Sequence, residues 1–138
     1  MSTPVVVDSS VAYKWLHAMG ENHVDEAVDL LNKHLAGEVL LVAPSNLSGE
    51  VANALRWKPR LTPADVDELL SHLEAIDVQL VDVTYSRLRT ATELACRHDL
   101  SVYGALFLQL AEELDCPLVT ADRKAFAGID SPVEIRLL

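Results

Sequence analysis

The chain has 138 residues, half of them hydrophobic, with 21 acidic against 11 basic residues and a formal charge of −10. This length and this apolar content suit one ordinary domain with a buried core, so we expect a single domain over residues 1–138. The acidity excludes a protein that holds nucleic acid by its overall charge, because such affinity comes largely from neutralised phosphates. It is compatible with a nuclease whose bound cations offset an acidic cluster, or with a basic protein partner.

The sequence gives no sign of a membrane or export segment. It has no run of eighteen or more apolar residues, so we expect no membrane span. Its N-terminus lacks the basic region and long apolar stretch of a signal peptide, which favours the cytoplasm.

The histidines show no HxH or HxxxH spacing, so zinc is not expected. Cys96 and Cys116 are not in a CxxC spacing and are interpreted as free thiols.

Short runs rich in Val and Leu alternate along the chain with stretches whose apolar residues recur every three or four positions. The first pattern predicts strands and the second predicts helices. In chain order these are strand 5–7, helix 9–16, helix 23–35, strand 39–43, helix 46–57, helix 63–76, strand 78–83, helix 85–97, helix 102–114, strand 117–120 and strand 133–137. The alternation predicts an α/β fold with three layers, α/β/α, around a mainly parallel sheet. Ligands of such folds bind beyond the carboxyl ends of the strands.

Three carboxylates are placed to meet at that edge of the sheet. Asp8 directly follows an all-valine run, and Asp122 lies two residues after the end of the later predicted strand 117–120. Glu50 borders the apolar stripe of its helix, and Asn53, one turn later, is positioned to hydrogen-bond it and fix its orientation. Converging carboxylates suit Mg²⁺ or Mn²⁺, which can activate water and stabilise charge on a phosphate. The alternatives are two aspartates that only cap helices and a glutamate that faces solvent.

Four segments carry a resemblance to a known family by their order and spacing. They are Val6-Val7-Asp8-Ser9-Ser10-Val11, Glu50-Val51-Ala52-Asn53-Ala54-Leu55, Leu100-Ser101-Val102-Tyr103-Gly104-Ala105-Leu106-Phe107-Leu108 and Leu118-Val119-Thr120-Ala121-Asp122. Over nearly its whole length the chain resembles PIN domains, in particular the VapC-type toxin ribonucleases of toxin–antitoxin pairs. The resemblance implies a small α/β/α fold, divalent-metal cleavage of RNA phosphodiesters, a homodimer and a cognate antitoxin.

The same resemblance implies roles for individual residues. Asp8, Glu50 and Asp122 would be the catalytic metal ligands, and Ser9 and Thr120 would lie beside the metal or its waters. The three carboxylates that the resemblance implies as ligands are the same three that the predicted strands and helices place at one edge of the sheet.

Basic and aromatic residues near these acids are candidate substrate contacts. The basic residues form two small clusters, Arg56, Lys58 and Arg60 in the first and Arg123 and Lys124 in the second. The second cluster directly follows Asp122 and is predicted to hold a substrate phosphate; solvated loop charge is the alternative for both clusters. Trp15 and Trp57 are interpreted as packing or dimer-surface residues rather than as platforms for base stacking.

Gly104 departs from the family pattern, which has Asp at this place. Ser101 is the expected N-cap of the helix that starts at Val102, so Gly104 would be its third residue, where a carboxylate favours the helix dipole and completes a capping box. Glycine supplies neither and costs about 1 kcal/mol of helix propensity against alanine. We therefore expect a metal-dependent endoribonuclease with impaired activity, whether the loss is natural or introduced. The alternative is a non-catalytic module on the same fold, kept for a protein partner.

Other classes with strand-end aspartates fit less well. A phosphoacceptor receiver domain needs an acidic pair after the first strand and a lysine after the last, and neither is present. A phosphatase with an aspartate nucleophile needs a second aspartate two residues on, where this chain has Ser10.

Overall fold

Strands and helices alternate through residues 2–138, the part of the chain that the computed structural model describes. The strands are β1 (Thr3–Val7), β2 (Val39–Pro44), β3 (Gln79–Val81), β4 (Leu118–Thr120) and β5 (Ile135–Leu137). The helices are α1 (Ser9–Leu16), α2 (Val24–Leu35), α3 (Leu47–Arg56), α4 (Pro63–Ile76), α5 (Tyr85–His98), α6 (Val102–Leu114) and α7 (Arg123–Phe126).

The strands form one sheet in the order β3-β2-β1-β4-β5, and every neighbouring pair is parallel. The predicted three-layer α/β/α fold is confirmed, and the sheet is parallel throughout. The chain builds outward from β1 to β2 and β3 on one side, and then to β4 and β5 on the other. The strand order therefore reverses between β1 and β4, and a crevice opens at their carboxyl ends.

The core lies where α6 crosses the middle of the sheet. Every residue of α6 from Ala105 to Ala111 is buried, and the helix packs against β1, β2 and β4. Helices α1 to α4 pack on one another, as do α5 and α6. Aliphatic side chains form most of this core. Leu41 and Leu118 are fully buried, as is Phe107.

Helix starts follow the local chemistry of the sequence. Thr62 is the N-cap of α4 and accepts from the Asp65 N–H at 3.2 Å. The Asp65 carboxylate accepts from the Thr62 N–H at 2.8 Å, which completes a capping box with Pro63 at the first position. The predicted N-cap Ser101 accepts from the Gly104 N–H at 3.0 Å. None of the helices within residues 2–138 combines the length and the apolar character that crossing a bilayer requires.

Two element predictions need correction. The strand expected at 78–83 is only Gln79–Val81, because it is an edge strand whose pairing with β2 ends opposite Pro44. Helix α7 was not predicted, since a single turn is too short to show an apolar period.

Leucine 41 tests the core assignment. We expect Leu41→Ala, on β2 with 0% exposure, to lower the free energy of unfolding by about 2–5 kcal/mol, because it leaves a cavity between sheet and helices. Leu35→Ala is the matched control, since this leucine at the end of α2 is 62% exposed and should change stability by about 0.5 kcal/mol or less. Urea denaturation followed by circular dichroism measures both, and equal losses would contradict the assignment.

Candidate active site

Asp8 is a buried carboxylate at the centre of the sheet edge. It directly follows β1, is 6% exposed, and caps α1 by accepting from the Ser9 N–H at 2.8 Å. Its other oxygen accepts from the Thr120 hydroxyl at 2.7 Å and from the Ser10 hydroxyl at 2.9 Å. Because Thr120 ends β4, this carboxylate ties together the ends of the two strands that flank the crevice.

Ser10 and Thr120 extend this network to the loop after β4. The Ser10 hydroxyl accepts from the Ala121 N–H at 2.9 Å, and the Thr120 hydroxyl accepts from the Asp122 N–H at 3.0 Å. The start of α1 and the end of β4 are thus held in one arrangement, and Asp122 is brought to the same edge as Asp8.

Glu50 reaches the network from α3 through Ser9. The Ser9 hydroxyl lies between two carboxylates, 3.1 Å from Glu50 Oε1 and 3.4 Å from Asp8 Oδ1. The second Glu50 oxygen accepts from the Asn46 side-chain amide. Glu50 is half-buried at this point, so the interpretation of a solvent-facing glutamate is wrong.

The hydrogen bond expected from Asn53 to Glu50 is not formed, and Asn53 is exposed. Helical side chains lean toward the N-terminus of their helix, so Glu50 extends back toward Asn46, one turn earlier. The residue that orients Glu50 is therefore Asn46, four positions before it rather than three after it.

Asp122 occupies the outer part of the site. It is exposed and caps α7, where its carboxylate accepts from the Ala125 N–H at 3.1 Å. It nevertheless lines the same open cleft as Asp8 and Glu50, a space of about 710 Å³. Helix capping and a place at the cleft are thus not exclusive alternatives for this residue.

The cleft carries negative charge without an ion-pair partner. Burial raises the pKa of Asp8 against the hydrogen bonds from Thr120, Ser10 and Ser9, and the charge of Asp122 raises it further. Burial also raises the pKa of Glu50, with a smaller contribution from Asp8. Within residues 2–138, no salt bridge involves any of these three acids.

The residues fit a divalent cation in ligand type but fall short in ligand number. Their oxygens come from carboxylates and hydroxyls, which hard cations prefer. Across the described residues, however, no group of three or more His, Cys, Asp or Glu side chains is close enough to hold a metal ion. Gly104 lines the cleft as the third residue of α6 and contributes no side chain to it.

A side chain at position 104 has room. A Cβ there would lie 4.0 Å from the Phe126 ring and 3.3 Å from the Ser101 hydroxyl, which caps the helix and would have to shift by a few tenths of an ångström. Asp99, which precedes this helix, lies in the left-handed region at the end of α5 and is exposed. It is not among the residues that line the cleft.

The basic residues reach the cleft only in part. Arg123 lines it, although its Nε donates to the Leu138 carbonyl at 2.8 Å, whereas Lys124 is exposed and does not line it. Lys58 of the first basic cluster lines it, and so does Lys14, which was missed. The signal for Lys14 was its spacing, since it lies four residues after Ser10 and so on the same face of α1.

The two tryptophans differ. Trp15 is half-buried and its Nε1–H donates to the Ala27 carbonyl at 2.7 Å, so its interpretation as a packing residue is confirmed. Trp57 is 68% exposed at the end of α3 and lines the cleft, so it is not packed within the chain, and its interpretation as a dimer-surface residue stays a prediction.

The fold and the site define a class of protein: a parallel α/β/α domain with an acidic cleft at the carboxyl edge of its sheet. The family model of the PIN domain matches residues 5–131. Over 135 residues the chain is 30% identical to "Ribonuclease VapC1" of Mycobacterium tuberculosis, covering 96% of both chains. The chain therefore belongs to the PIN domain family, with a VapC-type protein among its relatives.

Solved structures agree with this fold. VapC20 of Mycobacterium tuberculosis, described as a sarcin-ricin loop cleaving toxin, superposes with a TM-score of 0.69 at 18% identity, over 94% of this chain and 98% of that one. A chain of a toxin–antitoxin complex from Klebsiella pneumoniae superposes with a TM-score of 0.65 at 16% identity, over 95% of this chain and 99% of that one. At these identities the likeness concerns the fold alone.

Asp8 should cost stability while it is ionised. Its pKa is raised in the folded chain, so the folded state takes up this proton at higher pH than the unfolded state does, and stability grows as pH falls through the raised pKa. We expect Asp8→Asn, in EDTA at neutral pH, to raise the free energy of unfolding, and this gain to shrink at acidic pH, as the pH falls through the raised pKa of Asp8.

Asp122→Asn is the control for this effect, because Asp122 is exposed and its charge is the smallest of the causes that shift the pKa of Asp8, so its removal should stabilise the chain much less. Urea denaturation at both pH values measures the difference. A stabilisation by Asp8→Asn that does not depend on pH would show that the ionised carboxylate carries no cost.

Proposed function

We propose that this chain is a PIN-type endoribonuclease, the toxin component of a toxin–antitoxin pair, with impaired activity. The observation that carries the proposal is the approach of Asp8 and Glu50 to the shared Ser9 hydroxyl at the carboxyl edge of the sheet. The proposal is supported by the chain's membership of the PIN domain family and by its similarity to a protein named as a ribonuclease.

The proposed cofactor is Mg²⁺ or Mn²⁺, and its candidate ligands are Asp8, Glu50 and Asp122, which line one cleft without forming a three-ligand group within residues 2–138. Bound there, the ion would supply a water of lowered pKa and would offset charge on the phosphate. The chain's own residues fix the ligands: Thr120 and Ser10 hold Asp8, and Asn46 holds Glu50. The lack of a salt-bridge partner for buried Asp8 and half-buried Glu50 within residues 2–138 is the electrostatic support for a cation, since unpaired charges in such places are costly.

Impaired activity follows from the glycine at position 104. With Asp absent there, the cleft has one carboxylate fewer than the family pattern, in agreement with the lack of a three-ligand group within residues 2–138. The same feature favours a second candidate function, a non-catalytic PIN module kept for a protein partner.

We propose a cognate antitoxin as the protein partner, a homodimer as the assembly and the cytoplasm as the place of action. One structural neighbour is a toxin–antitoxin complex, and the formal charge of −10 suits a partner with a basic segment. The homodimer rests on the family resemblance alone. RNA is the proposed substrate, with Arg123 as the phosphate contact of the second basic cluster; Lys124 would act only from outside the cleft.

Restoring the missing carboxylate tests the catalytic proposal. We expect Gly104→Asp to tighten Mg²⁺ or Mn²⁺ binding and to raise the rate of RNA cleavage by at least about 100-fold, because one electrostatic contact at a reacting charge contributes on that order. Isothermal titration with Mn²⁺ and a cleavage assay on labelled RNA measure the two effects.

Two controls separate the carboxylate from the backbone. Gly104→Ala removes the helix-propensity cost alone, and Gly104→Asn adds a side chain of the same shape without charge; neither should raise metal affinity or cleavage. If Gly104→Asp behaves like them, the ribonuclease proposal fails and the non-catalytic module is favoured.

Asn46 gives an independent test, because it acts only through Glu50. In the Gly104→Asp background, we expect Asn46→Ala to lower cleavage by about 10- to 100-fold and to weaken metal binding, since Glu50 loses the amide that orients it. Asn53→Ala is the matched control on the same helix and should leave both unchanged, because Asn53 is exposed. Equal effects of the two variants would contradict the role given to Asn46.

A further inference from the structure

Trp57 presents an open aromatic face at the rim of the acidic cleft. It lies directly after α3, the helix that carries Glu50, and lines the cleft while 68% exposed. The Arg56 guanidinium lies over its ring, 4.1 Å from the centroid. One face of the indole is thus covered and fixed by a cation, and the other is available to a flat ligand.

Lys58 adds a cation to the same cleft. It lines the cleft, and its Nζ lies 5.5 Å from the centroid of the Tyr13 ring on α1. No salt bridge within residues 2–138 includes Lys58. Lys14, the other lysine of the cleft, is held by Glu21 at 3.0 Å and by the Asn22 carbonyl. Lys58 is therefore the lysine that can neutralise an incoming anion.

We propose that Trp57 and Lys58 form a subsite for single-stranded RNA, in which a nucleobase stacks on the open face of Trp57 and Lys58 contacts the adjacent phosphate. Aromatic side chains with neighbouring cations are the usual means of holding single strands without sequence readout. The subsite rests on the proposed ribonuclease function and adds to it the part of the cleft that holds the substrate.

The charge distribution favours RNA over a second copy of the chain at this rim. In a protein of formal charge −10, Arg56, Lys58 and Arg60 concentrate positive charge within five residues. A polyanion that enters the acidic cleft needs such a local cation group. The rim is also continuous with the carboxylates at which cleavage is proposed, since Trp57 and Glu50 line the same space.

Binding of an oligouridylate and an oligoadenylate of about ten nucleotides tests the subsite, a length within the range that single-strand sites cover. Fluorescence anisotropy in EDTA separates binding from metal-dependent cleavage. We expect Trp57→Ala to weaken binding by about 5- to 150-fold, the loss typical of one stacked base, without changing the salt dependence. We expect Lys58→Gln to reduce the slope of log affinity against log salt by about 0.7, the value for one phosphate on a single strand.

Matched controls use an aromatic and a lysine elsewhere. Tyr85→Ala removes a 79% exposed ring at the start of α5, and Lys33→Gln removes the same charge from α2; neither residue lines the cleft, and neither change should alter affinity. In Trp15→Phe, Trp57 is the sole tryptophan, and added RNA should quench its emission, whereas Trp57→Phe should show no such quenching.

Three results would overturn the subsite. The first is a parent chain that binds neither oligonucleotide; the second is Trp57→Ala and Lys58→Gln variants that bind like their controls. The third is a change of oligomeric state in Trp57→Ala on light scattering with RNA affinity unchanged, which would assign Trp57 to a protein interface. The ribonuclease proposal is judged separately by cleavage in Gly104→Asp, so RNA bound through this rim but never cleaved would refute that proposal and leave the subsite standing.

Discussion

The hydrogen bond from the Thr120 hydroxyl to the Asp8 carboxylate, 2.7 Å long and buried, joins the ends of β1 and β4. These are the two strands between which the strand order reverses, so a crevice opens beyond their carboxyl ends. Ser10 adds its hydroxyl to Asp8 and receives the Ala121 N–H, which extends the tie to the loop after β4. The position of Asp122 depends on this junction, because its N–H donates to the Thr120 hydroxyl.

The same junction explains why the ionised form of Asp8 lowers the stability of the fold and why the proposed cation would raise it. A buried carboxylate with hydroxyl and amide donors but no cation keeps a raised pKa, and its ionised form opposes folding. Such a site is stabilised when a cation enters it, by an amount that grows with the cation's concentration relative to its dissociation constant. Binding of the proposed cation at Asp8 would therefore raise the stability of the chain, as is common where function requires an unfavourable local arrangement.

The acidity of the chain and its proposed substrate are reconciled by position rather than by total charge. The buried and half-buried acids Asp8 and Glu50 line the cleft together with the cation of Lys58, and Arg56 lies over the Trp57 ring. Gly104 lines the same cleft, at the place where the resemblance to PIN domains implies a carboxylate.

The sequence alone determined the α/β alternation, the place of Asp8 and Asp122 at strand ends and the cap at Ser101, because each depends on neighbouring residues and on a short period. It could not determine that the Ser9 hydroxyl lies between the carboxylates of Asp8 and Glu50, since Glu50 is 41 residues away from Ser9 in the chain. It also could not determine that Asn46 rather than Asn53 hydrogen-bonds Glu50. Nor could it separate the packed Trp15 from the exposed Trp57, two residues with the same local character. Those facts belong to the tertiary structure, because the packing of α3 against α1 sets which side chains meet across the cleft and which remain in solvent.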